Sequence, residues 1–150
     1  MRSPETFMSV VSQRSIKAAD LLDPNLAYDR VDTPNNRSNP RGVCLLINQR
    51  DFHHSETRDG TDGDADIIEH TFRTCGYCVN RATNLTLRKM KNLLDRVGKQ
   101  DHSKYDSFVC VILSHGRRDE IFASDKPIKV DYLISYFRSD RCPTLAGKPK

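Results

Sequence analysis

Residues 108–118 read FVCVILSHGRR. Six apolar residues in an unbroken run predict a strand buried on both faces, because a strand with one wet face would alternate. The run gives way to Ser114, His115 and Gly116, so an imidazole and a flexible residue stand at the strand's carboxyl end. In an open α/β sheet, ligands bind beyond that end. His115 is therefore a candidate general base. Gly116 lets the backbone turn sharply and leaves an N–H to hold an oxyanion.

The same grammar extends in both directions. GVCLLIN (42–48) is a second continuous apolar run, hence a second buried strand. A polar loop, QRDFHHSETRDGTDGD (49–64), follows it. Ala65, Ile68, Phe72 and Cys75 then share one helical face, with Thr61 placed as N-cap and Asp62, Asp64 and Asp66 near the positive end of the helix dipole. Gly76 suits the position just past that helix, and YCVNR (77–81) resumes as a strand. Leu87, Met90, Leu94 and Val97 mark the buried face of a second helix. Beyond the 108–113 strand, IFASDKPIKV (121–130) predicts a small hairpin, and Val130, Leu133, Ile134 and Phe137 a third helix. The order β-α-β-α-β, then α, predicts an α/β fold: a doubly wound parallel sheet flanked by helices. LAGKPK (145–150) reads as a turn and the start of a further strand, so the sheet is expected to be cut off at that point.

Residues 1–40 differ from the rest. Four prolines and the tract NNRSN (35–39) without periodicity predict a short disordered leader, leaving 41–150 as one domain. No apolar run reaches the ~18 residues that a membrane span needs, and no secretory signal opens the chain. The net charge of +4 is spread out. Its densest group, Arg88, Lys89, Lys91, Arg96 and Lys99, lies opposite the apolar face of the second helix and reads as a solvated surface, not a nucleic-acid footprint. Five cysteines without a signal peptide point to a reducing, cytoplasmic compartment.

The base at position 115 needs a nucleophile, and none is evident. Ser114 points to the opposite face of the strand, Cys44 and Cys110 lie in apolar runs, and Cys142 has no neighbour to activate it. CGYC (75–78) has no second ligand pair to make a zinc site. The acidic loop fails as a calcium hand, because Ile67 and Arg73 occupy the positions that need glycine and glutamate. No metal or other cofactor is expected. Arg58 lies on the loop leaving the first strand, at the same end of the sheet as His115.

These residues resemble a known family. GVCLLINQRDF (42–52), TRDGTDGDADIIEHTFRTCGY (57–77), DHSKYDSFVCVILSHG (101–116) and FRSDRCPTLAGKPK (137–150) resemble, in order and spacing, the large subunit of a caspase, most closely an effector caspase. The resemblance implies an aspartate-specific cysteine endopeptidase of apoptosis, made as a zymogen. It implies that His115 is the catalytic histidine, that the Gly116 N–H helps hold the oxyanion, and that Arg58 binds the P1 aspartate. The implied partners are protein substrates cleaved after aspartate, a small subunit, and a second large and small pair forming a dimer. Two departures stand out. Arg117 and Arg118 follow the His-Gly pair where the family has acidic residues. The nucleophile motif, about 50 residues beyond the histidine, would also fall past Lys150, so the chain alone is expected to be inactive. The alternative is a truncated homologue that binds intact caspases as a decoy. In the leader, Asp29-Arg30-Val31-Asp32 has the D-x-x-D form that effector caspases prefer, which makes Asp32 a candidate processing site.

Overall fold

The computed structural model describes residues 40–150. Apart from Pro40, the leader expected over 1–40, with Asp32, lies outside the described residues. The central sheet holds β1 (Gly42–Asn48), β2 (Tyr77–Thr83) and β3 (Ser107–Leu113), all parallel, in the order β2-β1-β3. Register is continuous along the whole of β1, from Gly42 opposite Tyr77 and Ser107 to Asn48 opposite Thr83 and Leu113. All seven residues of β1 are buried, as its apolar run predicts for a central strand covered on both sides.

The pleat of β1 feeds two cores. Cys44 and Leu46 turn to one face and pack with Val79, Val111, Leu113 and Ala65 of α1 (Thr61–Thr74). Val43, Leu45 and Ile47 turn to the other, against Met90, Leu94 and Val97 of α2 (Leu87–Gly98). The two crossover helices thus cover opposite faces, the doubly wound arrangement expected from the element order. The α2 face was legible from its spacing, and the basic residues opposite it lie on the outside.

Helix ends show where local chemistry outweighs pattern. Thr61, expected as the N-cap of α1, is its first helical residue; Gly60 caps instead, with φ 83, a left-handed conformation that threonine adopts only with strain. Gly76, φ 91, ends α1 as its position suggested, and its N–H bonds to the Arg73 carbonyl at 3.0 Å. Cys75, expected on the buried face, is exposed at the C-cap because the helix has already ended there. Thr86 caps α2, and the Leu87 N–H is taken at 2.7 Å by the Asp125 carboxylate.

A second sheet follows β3: β4 (Gly116–Arg117), β5 (Glu120–Phe122) and β6 (Pro127–Lys129), antiparallel in that order. The β5–β6 hairpin matches expectation; β4, two exposed residues long, carries no apolar signal in the sequence. The hairpin and α3 (Val130–Ser135) close the second core through Ile121, Ile128, Val130 and Leu133. Phe137, expected within that helix, lies just past its end but is buried in the same core. A single 3-10 turn (Pro143–Leu145) leads back to the outer side of β3, where the Phe108 N–H donates to the Pro149 carbonyl at 3.0 Å. That contact is what stands where a further strand was expected to start. Among the described residues, no helix is long and apolar enough to cross a membrane.

Candidate active site

The strand order creates the site. From β1 the chain crosses to β2 on one side and later to β3 on the other, so the loops leaving β1 and β3 diverge. Such a switch point opens a crevice above the carboxyl ends of the two strands. The loop after β1 brings Phe52, Glu56 and Arg58 to it; the end of β3 brings Ser114, His115 and Gly116.

His115 is partly exposed and held on two sides. Its ring lies against Phe52, with centroids 4.7 Å apart and planes at 41°. Its Nε2 lies 2.7 Å from the Glu56 carbonyl oxygen. A carbonyl can only accept, so Nε2 carries the hydrogen and donates it; in the neutral ring, Nδ1 then keeps the lone pair. The imidazole is thereby oriented and fixed in one tautomer, with Nδ1 as the basic atom.

Gly116 follows directly and opens β4. The Phe122 N–H donates to the His115 carbonyl at 3.0 Å, and Gly116 pairs with Ile121 in the next rung. Antiparallel rungs alternate between bonded and non-bonded pairs, so the Gly116 N–H turns away from β5. It can donate to an anion. Ser114 is excluded as a nucleophile, as expected: it is buried, and its hydroxyl donates to the Phe122 carbonyl at 2.6 Å.

Arg58 sits half-buried two residues beyond Glu56. Its Nη1 donates to the Gln49 carbonyl at 3.1 Å and to the Thr61 hydroxyl at 2.8 Å. Burial draws the guanidinium below its ordinary pKa, partly offset by the negative charge of Asp64, and arginine remains charged regardless. Among the described residues it forms no ion pair, unlike Arg50, which lies 3.7–3.9 Å from the carboxylates of Asp51, Asp59 and Asp62. A guanidinium has the geometry to take a carboxylate bidentately.

The thiols lie elsewhere. Burial pushes Cys44 and Cys110 up to about 12, Glu69 adding to the rise at Cys44 and Cys44 to that at Cys110. Cys142 is fully buried in the second core. Cys75 and Cys78 are exposed but lie near the opposite end of the sheet, where Cys78 pairs with Val43. Five residues of strand at about 3.3 Å each put that rung ~16 Å below the crevice. Among the described residues, no cluster of three or more potential metal ligands forms. His53, His54 and His70 are exposed, as expected of loop and outer-helix positions.

His115 and Gly116 thus stand at the carboxyl end of β3, and Glu56 ties His115 to the loop that carries Arg58 two residues on. The Glu56 contact was invisible in sequence, because a backbone carbonyl leaves no residue signal. Phe52, an aromatic in an otherwise polar loop, was a signal left unused.

Residues 41–150 match the family described as Caspase domain. Caspase-3 of Mesocricetus auratus is 47% identical over 112 residues, covering 73% of this chain and 40% of that protein. Caspase-3 of Mus musculus is 45% identical and that of Bos taurus 43% identical over the same length, covering 73% of this chain and 40% and 41% of those proteins. The chain therefore spans about 40% of the length of the curated relatives it matches. A parallel sheet between two helical layers, with a histidine, a glycine and an arginine at its switch point, and a family match over 110 of the 150 residues lead to one conclusion: the chain belongs to the caspase family.

Proposed function

We propose that this chain supplies the histidine and the aspartate receptor of an apoptotic cysteine endopeptidase that cleaves proteins after aspartate. The carrying observation is His115, held through Nε2 by the Glu56 carbonyl two residues before an arginine that has no ion-pair partner among the described residues. No thiol among the described residues is suited to partner it, so the nucleophilic cysteine is assigned to a segment outside these 150 residues.

In this scheme His115 Nδ1 takes the proton of that cysteine, and the thiolate attacks the carbonyl carbon of the substrate aspartate. The Gly116 N–H stabilises the resulting oxyanion while Arg58 grips the aspartate side chain. As the peptide C–N bond breaks, His115 returns the proton to the leaving amine. Water then hydrolyses the acyl-enzyme. The chemistry calls for no metal or organic cofactor. The assembled enzyme pairs this large-subunit region with a small subunit and dimerises with a second such pair. It acts in the cytoplasm, made as a zymogen whose leader is removed after Asp32; the mature chain would then begin at Thr33, which N-terminal sequencing of processed protein checks.

The full-length protein should hydrolyse an Asp-Glu-Val-Asp peptide, and His115→Ala should lower kcat by at least about 10³-fold, the scale of losing a general base that also activates the nucleophile. Turnover that survives His115→Ala contradicts the proposal. Binding to an intact caspase without any turnover by the full-length protein would favour the decoy role.

A further inference from the structure

Arg58 is held by more than the loop that carries it. Its Nη1 donates to Thr61 Oγ1, Thr61 Oγ1 donates to Asn48 Oδ1 at 2.7 Å, and Asn48 Nδ2 donates to Asp62 Oδ1 at 2.8 Å. Thr61 is 2% exposed and Asn48 fully buried, so this relay runs through the interior just beneath the crevice. Its polarity is set at both ends. Arginine can only donate, and an ionised aspartate can only accept. Asp62 therefore draws the amide nitrogen of Asn48, which turns the amide oxygen toward Thr61. That oxygen takes the hydroxyl hydrogen of Thr61 and leaves its lone pair for Arg58. Reversing any one link would set two donors or two acceptors against each other in a buried place, which is costly.

Relay and backbone converge on a single guanidinium nitrogen: the Gln49 carbonyl also accepts from Nη1, at 3.1 Å. Among the described residues, Nη2 and Nε take no side-chain or backbone acceptor, which leaves the opposite edge of the fork for a carboxylate. The relay also explains why Thr61 cannot cap α1. Its hydroxyl is committed to Asn48 and Arg58, and Gly60 caps without a side-chain bond.

We propose that Thr61, Asn48 and Asp62 form a positioning relay that fixes the carboxylate-binding edge of Arg58, so that selection of aspartate at P1 depends on residues that never touch substrate. The proposal rests on the peptidase reading above.

The experiment is steady-state kinetics of the full-length enzyme on peptides with aspartate or glutamate at P1, comparing wild type with Thr61→Val, Thr61→Ser and Asp62→Ala. Thr61→Val keeps the shape but removes both hydrogen bonds. It should raise KM for the aspartate peptide about tenfold or more, leave kcat within about threefold and narrow the aspartate-to-glutamate preference, the scale expected when one partner of a charged hydrogen bond is lost. Thr61→Ser keeps the hydroxyl and should restore KM to within about twofold of wild type. Asp62, at 57% side-chain exposure, can be truncated without opening the core, and Asp62→Ala should raise KM about threefold by freeing the Asn48 amide to turn. An unchanged KM in both Thr61→Val and Asp62→Ala overturns the relay, as does a fall in kcat alone. Should Thr61→Val fail to fold, Asp62→Ala decides on the same criterion. A wild-type enzyme that does not cleave after aspartate at all refutes the peptidase reading instead.

Discussion

Residues of one type carry different chemistry here because their surroundings differ. The five thiols divide by position. Cys44 and Cys110 lie in the sheet with ionisation pushed up to about 12, Cys142 is buried in the second core, and Cys75 and Cys78 face solvent. Native protein treated with iodoacetamide near pH 8 should be alkylated at Cys75 and Cys78 within minutes, more slowly at the partly exposed Cys110, and at the buried Cys44 and Cys142 only after unfolding, as peptide mass mapping would read. Rapid native labelling of Cys44 would contradict the packing around β1. The same two groups give a pH signature. An unfolded thiol ionises near its usual 9.0, whereas these folded ones hold their protons to about 12. The folded state thus binds more protons between those values, and stability falls as pH rises through that window. Thermal melts from pH 8 to 11 would follow the decline. The histidines divide too: His102 is buried with Nε2 2.8 Å from the Val97 carbonyl oxygen, His53, His54 and His70 lie exposed on a loop and a helix surface, and His115 is partly exposed, with a carbonyl on one nitrogen and Phe52 against its ring.

At the scale of elements, close approach does as much as hydrophobic burial. A Cβ on Gly42 would lie 1.9 Å from the Ser107 carbonyl oxygen, so the first rung of β1 and β3 exists only because position 42 has no side chain. Gly42→Ala should therefore destabilise the domain by about 1–3 kcal/mol, the scale of overpacking in a rigid core. Urea unfolding would measure it, and an unchanged midpoint would mean that the rung opens without cost. The strands and crossover helices were legible because their signals are local: unbroken apolar runs for β1 and β3, a 3.6-residue period for α2, a glycine past the end of α1. What could not be read depended on contacts between distant segments. Thr61 looked like a cap until Asn48, thirteen residues away, claimed its hydroxyl. β4 is two residues of rim whose existence depends on β5. For the candidate site, position and family resemblance singled out His115, Gly116 and Arg58. The Glu56 carbonyl and the buried amide of Asn48 were not legible, since neither a backbone atom nor one polar residue ending an apolar strand declares its partner.

For the molecule as a whole, the doubly wound topology sets the loop after β1, with Arg58, beside the carboxyl end of β3, with His115 tied to that loop through the Glu56 carbonyl. The chemistry is divided. In the proposed scheme this region supplies the proton acceptor, one oxyanion donor and the carboxylate receptor, while the thiol is assigned to a segment outside it. The claim that binds these parts is that Arg58 reads an aspartate side chain next to the scissile bond. It is tested most directly by the ratio of kcat/KM for matched peptides bearing aspartate or asparagine at P1, measured on full-length wild type and Arg58→Gln. A half-buried charge left unpaired by the wrong substrate should discriminate by about 10²-fold or more, so wild type should prefer aspartate on that scale and Arg58→Gln should lose most of the preference. An Arg58→Gln enzyme that still selects aspartate as strongly as wild type would contradict the account.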